Sequence, residues 1–243
     1  MPDPGVVFIF DWDDTLLPTT ALQHSRQLAA HPFDSAAERA AVRSQHQRSQ
    51  RLAARTCEKL LQEALRLGKV FIVTSSQPGW VRESCGQYLP NVLGLLPQIR
   101  VISAPACYAK NVAEADREDQ GVPDPGLVWK SFTFGMLAGK LQQQEGSITT
   151  VVAAGNTPSD TAAAHAVTGV LPGVHLATVE VGGWTSAEGL AMQQAALAAK
   201  LEEVVHMGSG HLGPASLAGH KVPEPVAERP GRCFAFVASV CSR

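Results

Sequence analysis

Five short apolar runs constrain this chain's fold more than any other feature: Val6–Phe10, Val70–Val73, Val101–Ser103, Ile148–Ala154 and His175–Val181. They are rich in β-branched residues and read as continuous apolar stretches. Strands of that kind are covered on both faces, which is the environment of a parallel sheet. Helix-length stretches separate them, at Ser35–Leu67, Gly79–Tyr88, Lys130–Gln142, Ser159–Val167 and Ser186–His206. Strand and helix in alternation predict an α/β fold, a Rossmann-like three-layer sandwich with a mainly parallel sheet. The longest helix carries its own boundaries. Ser35-Ala-Ala-Glu38 has the capping-box pattern, and Gly68 supplies a stop. Residues 104–128 hold three prolines and several acids, and are expected to form a loop.

Length and composition narrow the possibilities. The chain has 243 residues, enough for one domain with an appendage at about 150 residues per domain. Charged residues make up 17% and the net charge is −2, so there is no overall pull toward nucleic acid or an anionic membrane. No apolar run approaches the ~18 residues of a transmembrane helix, and the apolar N-terminal run is too short for a signal peptide. A cytoplasmic protein is expected. The five cysteines form no CxxC pair, and free thiols are expected instead of disulfides or zinc. After residue 206, Gly, Pro, Ser and His dominate. The expected organisation is a core over 1–206 and a flexible tail over 207–243, with Cys233–Val240 as the one apolar run in the tail.

The sharpest chemical feature ends the first strand. Phe8-Ile-Phe-Asp11-Trp-Asp13-Asp14-Thr15-Leu16-Leu17 places three carboxylates within four positions. In an extended chain Asp11 and Asp13 face the same side. Two carboxylates that close repel, raising one pKa unless a cation lies between them. An acidic turn with Asp14 or Thr15 as a helix cap is the structural alternative. The carboxyl ends of strands in open α/β sheets are, however, where ligands bind.

DWDDTLL resembles the DxDx[TV][LI] signature of the haloacid dehalogenase (HAD) superfamily, most of whose members are Mg²⁺-dependent phosphatases. The resemblance implies that Asp11 is a nucleophile forming an aspartyl-phosphate. It makes Asp13 the acid that protonates the leaving alkoxide and then the base that activates water. A carboxylate nucleophile divides one hard displacement into two easier ones, and a second carboxyl serves as acid, then base. The family's second motif, a strand ending in Thr or Ser, matches Val70–Ser76, with Thr74 and Ser75 as phosphate-binding residues. For the third, a charge-neutralising lysine, the candidates are Lys110 and Lys130. Lys130 is preferred because it opens the helix that leads into the fourth strand. The fourth, GDxxxD, reads Gly155-Asn156-Thr157-Pro158-Ser159-Asp160.

Asn156 stands where the resemblance places a metal-ligating Asp. The implied metal set is Asp11, Asp13 (through its backbone carbonyl), Asn156 and Asp160, around Mg²⁺. Mg²⁺ prefers charged oxygen ligands, so a neutral amide weakens the site, with Asp160 and Asp14 able to compensate through the field or through water. Two functions follow. One is a Mg²⁺-dependent phosphohydrolase acting on a phosphomonoester. The other is a HAD-like module that binds phosphorylated ligands or partners without turnover. Short runs at Phe10–Thr20, Ile72–Pro90 and Leu127–Phe134 look like a eukaryotic branch of the superfamily without an assigned substrate.

The gap between the first two motifs leaves room at about 19–47 for a helical flap, not a full cap. The site is therefore expected to be open and the substrate, by analogy with capless members, bulky. Between Ser35 and Lys69 there are eight basic and three acidic residues. Arg51, Arg55 and Lys59 share one helical face, most simply a solvated one. No nucleic-acid-binding motif accompanies them. Trp12, Trp80 and Trp129 are expected in the core.

Overall fold

The computed structural model describes residues 2–30, 35–119, 121–145, 147–182 and 186–217. Its sheet contains β1 (Val6–Phe10), β2 (Lys69–Thr74), β3 (Arg100–Ser103), β4 (Thr150–Gly155), β5 (His175–Glu180) and β6 (Gly210–Leu212). They lie in the order β3-β2-β1-β4-β5-β6, and every neighbouring pair is parallel. The helices are α1 (Thr19–Ala30), α2 (Ala36–Leu67), α3 (Trp80–Tyr88), α4 (Ala104–Asn111), α5 (Pro125–Glu145), α6 (Pro158–Ala164), α7 (Ala166–Val170), α8 (Ala187–His206) and α9 (Pro214–Leu217). This is the Rossmann-like three-layer α/β sandwich that the alternating pattern predicts. No helix among the described residues is long and apolar enough to cross a membrane.

Alternation along each strand divides the core. Val6, Phe8 and Phe10 pack on one face with Leu60 and Leu61 of α2, Val81 of α3 and Leu197 of α8. Val7 and Ile9 pack on the other with Phe134 and Leu137 of α5, Ala163 of α6 and Val167 of α7. Successive strand residues point to opposite faces, so both faces of β1 are buried. This explains why its sequence is apolar without a break.

The long helix begins and ends where its caps predict. Ser35 and Glu38 form the reciprocal capping box, and Gly68 closes the C-terminus. Gly68 is required for space rather than for an unusual dihedral: a Cβ there would lie 2.3 Å from the carbonyl oxygen of Val6. All buried residues of α2 lie from Ala53 onward. A helix of 32 residues is about 48 Å long, while a six-residue strand spans about 20 Å. Because α2 runs back to the start of β2, its first half projects past the carboxyl edge of the sheet. Together with α1 it occupies the stretch expected to form a flap.

Two expectations need correction. Residues 104–128 are not one loop, since α4 begins at Ala104 and α5 at Pro125. Pro105 and Pro125 stand in first turns, where a missing N–H costs nothing and a fixed φ helps. Residues 207–217 are not tail. β6 pairs with β5, Ala177 opposite Gly210 and Val179 opposite Leu212, and α9 buries Leu217. A three-residue edge strand held by backbone bonds needs no apolar run to announce it. Residues 218–243, including Cys233–Val240, lie outside the described residues. Cys57, Cys85 and Cys107 are free thiols. Burial pushes the Cys57 thiol up, and that of Cys85 to about 11, so neither is a reactive thiolate.

Candidate active site

Strand register places the site. β1 is central, with Phe10 opposite Ile72 of β2 and Ala154 of β4. The residues just beyond these, 11–15, 74–76 and 155–156, therefore meet at the carboxyl edge. In this strand order, β1 and β4 flank the point where the connections diverge to opposite faces, which is where α/β sheets open a crevice.

Asp11 continues the Val7–Ile9 side of β1 and so faces α5 and α6. Its Oδ1 accepts from Lys130 Nζ at 2.7 Å, and its Oδ2 from the Thr15 hydroxyl at 3.3 Å. Lys130 also donates to Asp160 Oδ1. Asp160 Oδ2 in turn accepts from the Thr157 amide at 3.0 Å and the Thr157 hydroxyl at 2.8 Å, closing a capping box on α6. Gly155 makes this possible. A Cβ there would lie 2.3 Å from the Asp160 Cβ.

Asp11, Lys130 and Asp160 are all buried. The Asp11 carboxyl stands raised at about 6, and burial is the largest cause. Lys130 pulls it back down, and Asp160 pushes it further up. Burial disfavours the Lys130 ammonium, but the two carboxylates beside it outweigh that and hold its pKa above the usual lysine range. The expectation that Asp13 would raise its neighbour is corrected here, because the causes are burial and Asp160.

Asp13 does not share Asp11's surroundings. The chain leaves the extended form at Trp12, whose carbonyl accepts from the amides of Leu16 and Leu17, each at 2.9 Å. The Asp13 carboxylate is held from three segments. Thr19 Oγ1 donates at 2.6 Å, Ser76 Oγ at 2.8 Å, and the Trp80 indole N–H to both oxygens at 3.0 and 3.1 Å. Asp14 adopts φ 54°, a left-handed conformation that aspartate tolerates. Its carboxylate accepts from the amide of Thr20 at 2.9 Å, so it caps the first turn of α1.

Thr74 is buried, and its hydroxyl accepts from the Ser76 amide at 3.0 Å. Ser75 is exposed beside it. Lys110 is exposed near the C-terminus of α4. The Trp12 indole is fully buried on the opposite face, donating to Ser84 Oγ at 3.0 Å. The Trp129 N–H donates to Asp119 at 2.7 Å.

Three residues in this cluster were missed as site residues: Thr19, Ser76 and Trp80. Ser76 follows the Thr74 motif directly. Trp80 read as core because an isolated tryptophan carries no sign of its N–H partner.

Asn156 reaches the same point from β4. With its amide nitrogen turned inward, it donates to Asp11 Oδ2 at 3.3 Å and to the Asp13 carbonyl at 3.2 Å. In the opposite orientation its oxygen accepts from the Thr15 hydroxyl at 3.4 Å and faces those two oxygens. Among the described residues, no three His, Cys, Asp or Glu side chains converge as a metal site. A cation here would be held by the Asp11 carboxylate, the Asp13 carbonyl and the Asn156 amide oxygen. Octahedral ligands of Mg²⁺ at 2.0–2.1 Å lie about 2.9 Å apart, so a spacing of 3.2–3.3 Å fits after small adjustment. Asp160 is not among these three groups, and its oxygens turn to Lys130 and Thr157.

Comparison with family models, with curated proteins and with solved structures finds no match to this chain in any of the three.

Proposed function

We propose that this protein is a Mg²⁺-dependent phosphohydrolase of the HAD type, acting on a phosphomonoester through an aspartyl-phosphate on Asp11. The observation that carries the proposal is the Asp11 carboxylate at the carboxyl edge of β1, paired with the buried Lys130 ammonium at 2.7 Å. A carboxylate buried beside a second carboxylate is costly to keep, and packing does not require it at a strand end. In this reading an Asp11 oxygen attacks phosphorus, and the bond from phosphorus to the ester oxygen breaks. Asp13 gives its proton to the leaving alkoxide. Water then attacks the acyl-phosphate phosphorus and yields a proton to Asp13, releasing inorganic phosphate and the Asp11 carboxylate.

Lys130 offsets charge on Asp11 and on the transferring group. The Thr74 hydroxyl and the loop at Ser75 offer donors to phosphate oxygens. Bound Mg²⁺ would supply further charge neutralisation. Thr19, Ser76 and Trp80 position Asp13. The stretch at 19–47 is too short for a full cap, and a site without one would suit a bulky phosphorylated substrate. A cytoplasmic location belongs to the same reading.

A second reading has its own support. The neutral Asn156 amide suits a HAD-like module that binds phosphorylated ligands or partners without turnover. Hydrolysis of an aryl phosphate in MgCl₂ separates the two. The hydrolase reading expects turnover that Asp11→Asn abolishes. If no Asp11-dependent turnover appears at high Mg²⁺, the binding reading replaces it.

A further inference from the structure

We infer that Asn156 makes a cation optional in this site: its amide turns between one orientation that stands in for a divalent cation and another that binds it. The inference rests on reading Asp11, the Asp13 carbonyl and Asn156 as the cation's holders.

Oxygen and nitrogen of an amide occupy nearly interchangeable positions, and the hydrogen-bond network decides which is where. With nitrogen inward, the two protons of the NH₂ group meet two acceptors, Asp11 Oδ2 at 3.3 Å and the Asp13 carbonyl at 3.2 Å. Positive partial charge then sits between oxygens that would otherwise repel. With oxygen inward, three oxygens face one another, and the Thr15 hydroxyl at 3.4 Å is too little to reconcile them. That orientation calls for a cation among them. A half-turn of one side-chain torsion exchanges the two arrangements without moving the backbone.

An aspartate at position 156 cannot do this. It has no N–H to offer, and without a cation it would add a further carboxylate, beside Asp160, against Asp11. The Asp160 carboxylate does not substitute, since Lys130 and Thr157 hold it. The amide therefore keeps the metal-free site intact. It also weakens cation binding twice, by removing a ligand charge and by obliging the cation to displace two hydrogen bonds.

The test is thermal unfolding of the wild type and Asn156→Asp in EDTA and across a MgCl₂ titration, without substrate. Asn156→Asp is expected to melt about 3 °C or more below wild type in EDTA. It should recover with Mg²⁺ at a midpoint at least about tenfold lower than that of the wild type. Equal stability in EDTA, or equal Mg²⁺ midpoints, overturns the inference. If the variant does not fold in EDTA, the wild type decides. The Asn156 side-chain NH₂ resonances in ¹⁵N-asparagine-labelled protein should shift as MgCl₂ is added. Mg²⁺ binding that leaves that pair unmoved overturns the inference, as does a protein in which neither chain binds Mg²⁺. None of these readouts is turnover. A catalytically silent protein that behaves as expected keeps the inference and loses the hydrolase reading. An active one with an unmoved amide does the reverse.

Discussion

In the proposed hydrolase Asp11 is the nucleophile, and its burial gives it an unusual pH dependence. Its folded value of about 6 lies above the usual 3.8. Between the two the folded state binds the extra proton, so Asp11 adds stability as pH falls from above 6 toward 4. Most carboxylates do the opposite. The Tm difference between wild type and Asp11→Asn should therefore move in favour of the wild type from pH 8 to pH 5. A difference that stays constant would contradict the assignment. A nucleophile must be ionised, so turnover should fall on the acid side, with bound Mg²⁺ drawing the midpoint below the metal-free value of Asp11. Trp80 is a positioning residue in this account. Trp80→Phe keeps the ring and removes the N–H that spans both Asp13 oxygens. It is expected to lower kcat about tenfold or more, toward the range that general acid–base catalysis contributes, with KM little changed. A rise in KM alone would place Trp80 at substrate binding instead.

At the scale of elements, Gly155 links β4 to the site. Gly155→Ala forces its Cβ against Asp160, and overpacking of this kind costs about 1–3 kcal/mol. It should lower Tm and turnover together, whereas Gly169→Ala, at a glycine with open space, should change neither. Ser35→Ala, at the free end of α2, should speed amide exchange over residues 36–40 and barely shift Tm, because no residue of α2 before Ala53 is buried. Local rules made much of this level readable in advance. The capping box at Ser35, the stop at Gly68 and the buried run of β1 all act through neighbours in sequence. Pro105 and Pro125 misled because proline marks a helix start as well as a loop. Asp124 was the available sign: its carboxylate accepts from the Leu127 amide at 3.2 Å, the N-cap geometry that precedes Pro at the first helical position. Trp80 and Thr19 joined the site through contacts far apart in sequence or across a turn, which spacing alone does not encode.

For the whole molecule, a single parallel sheet brings β1, β2 and β4 to one edge, where α1, α3, α5 and α6 add Thr19, Trp80, Lys130 and Asp160. β6 and α9 complete that sheet's far side. A chain ending at Met207 should lose at least about 5 °C in Tm through the exposed β5 edge and the lost burial of Leu217; an unchanged Tm would restore the reading of this segment as tail. The projecting first half of α2 presents Arg39, Arg43, Arg48 and Arg51 to solvent. In the proposed reaction phosphate passes through Asp11. Asp13→Asn with 4-nitrophenyl phosphate tests it most directly, because this leaving group needs little acid help and the second step loses its base. A Mg²⁺-dependent burst of about one equivalent of nitrophenol per chain is expected, with phosphate trapped on the peptide containing Asp11. Turnover that persists in Asp11→Asn, or a turning-over protein that never carries phosphate on Asp11, would contradict it.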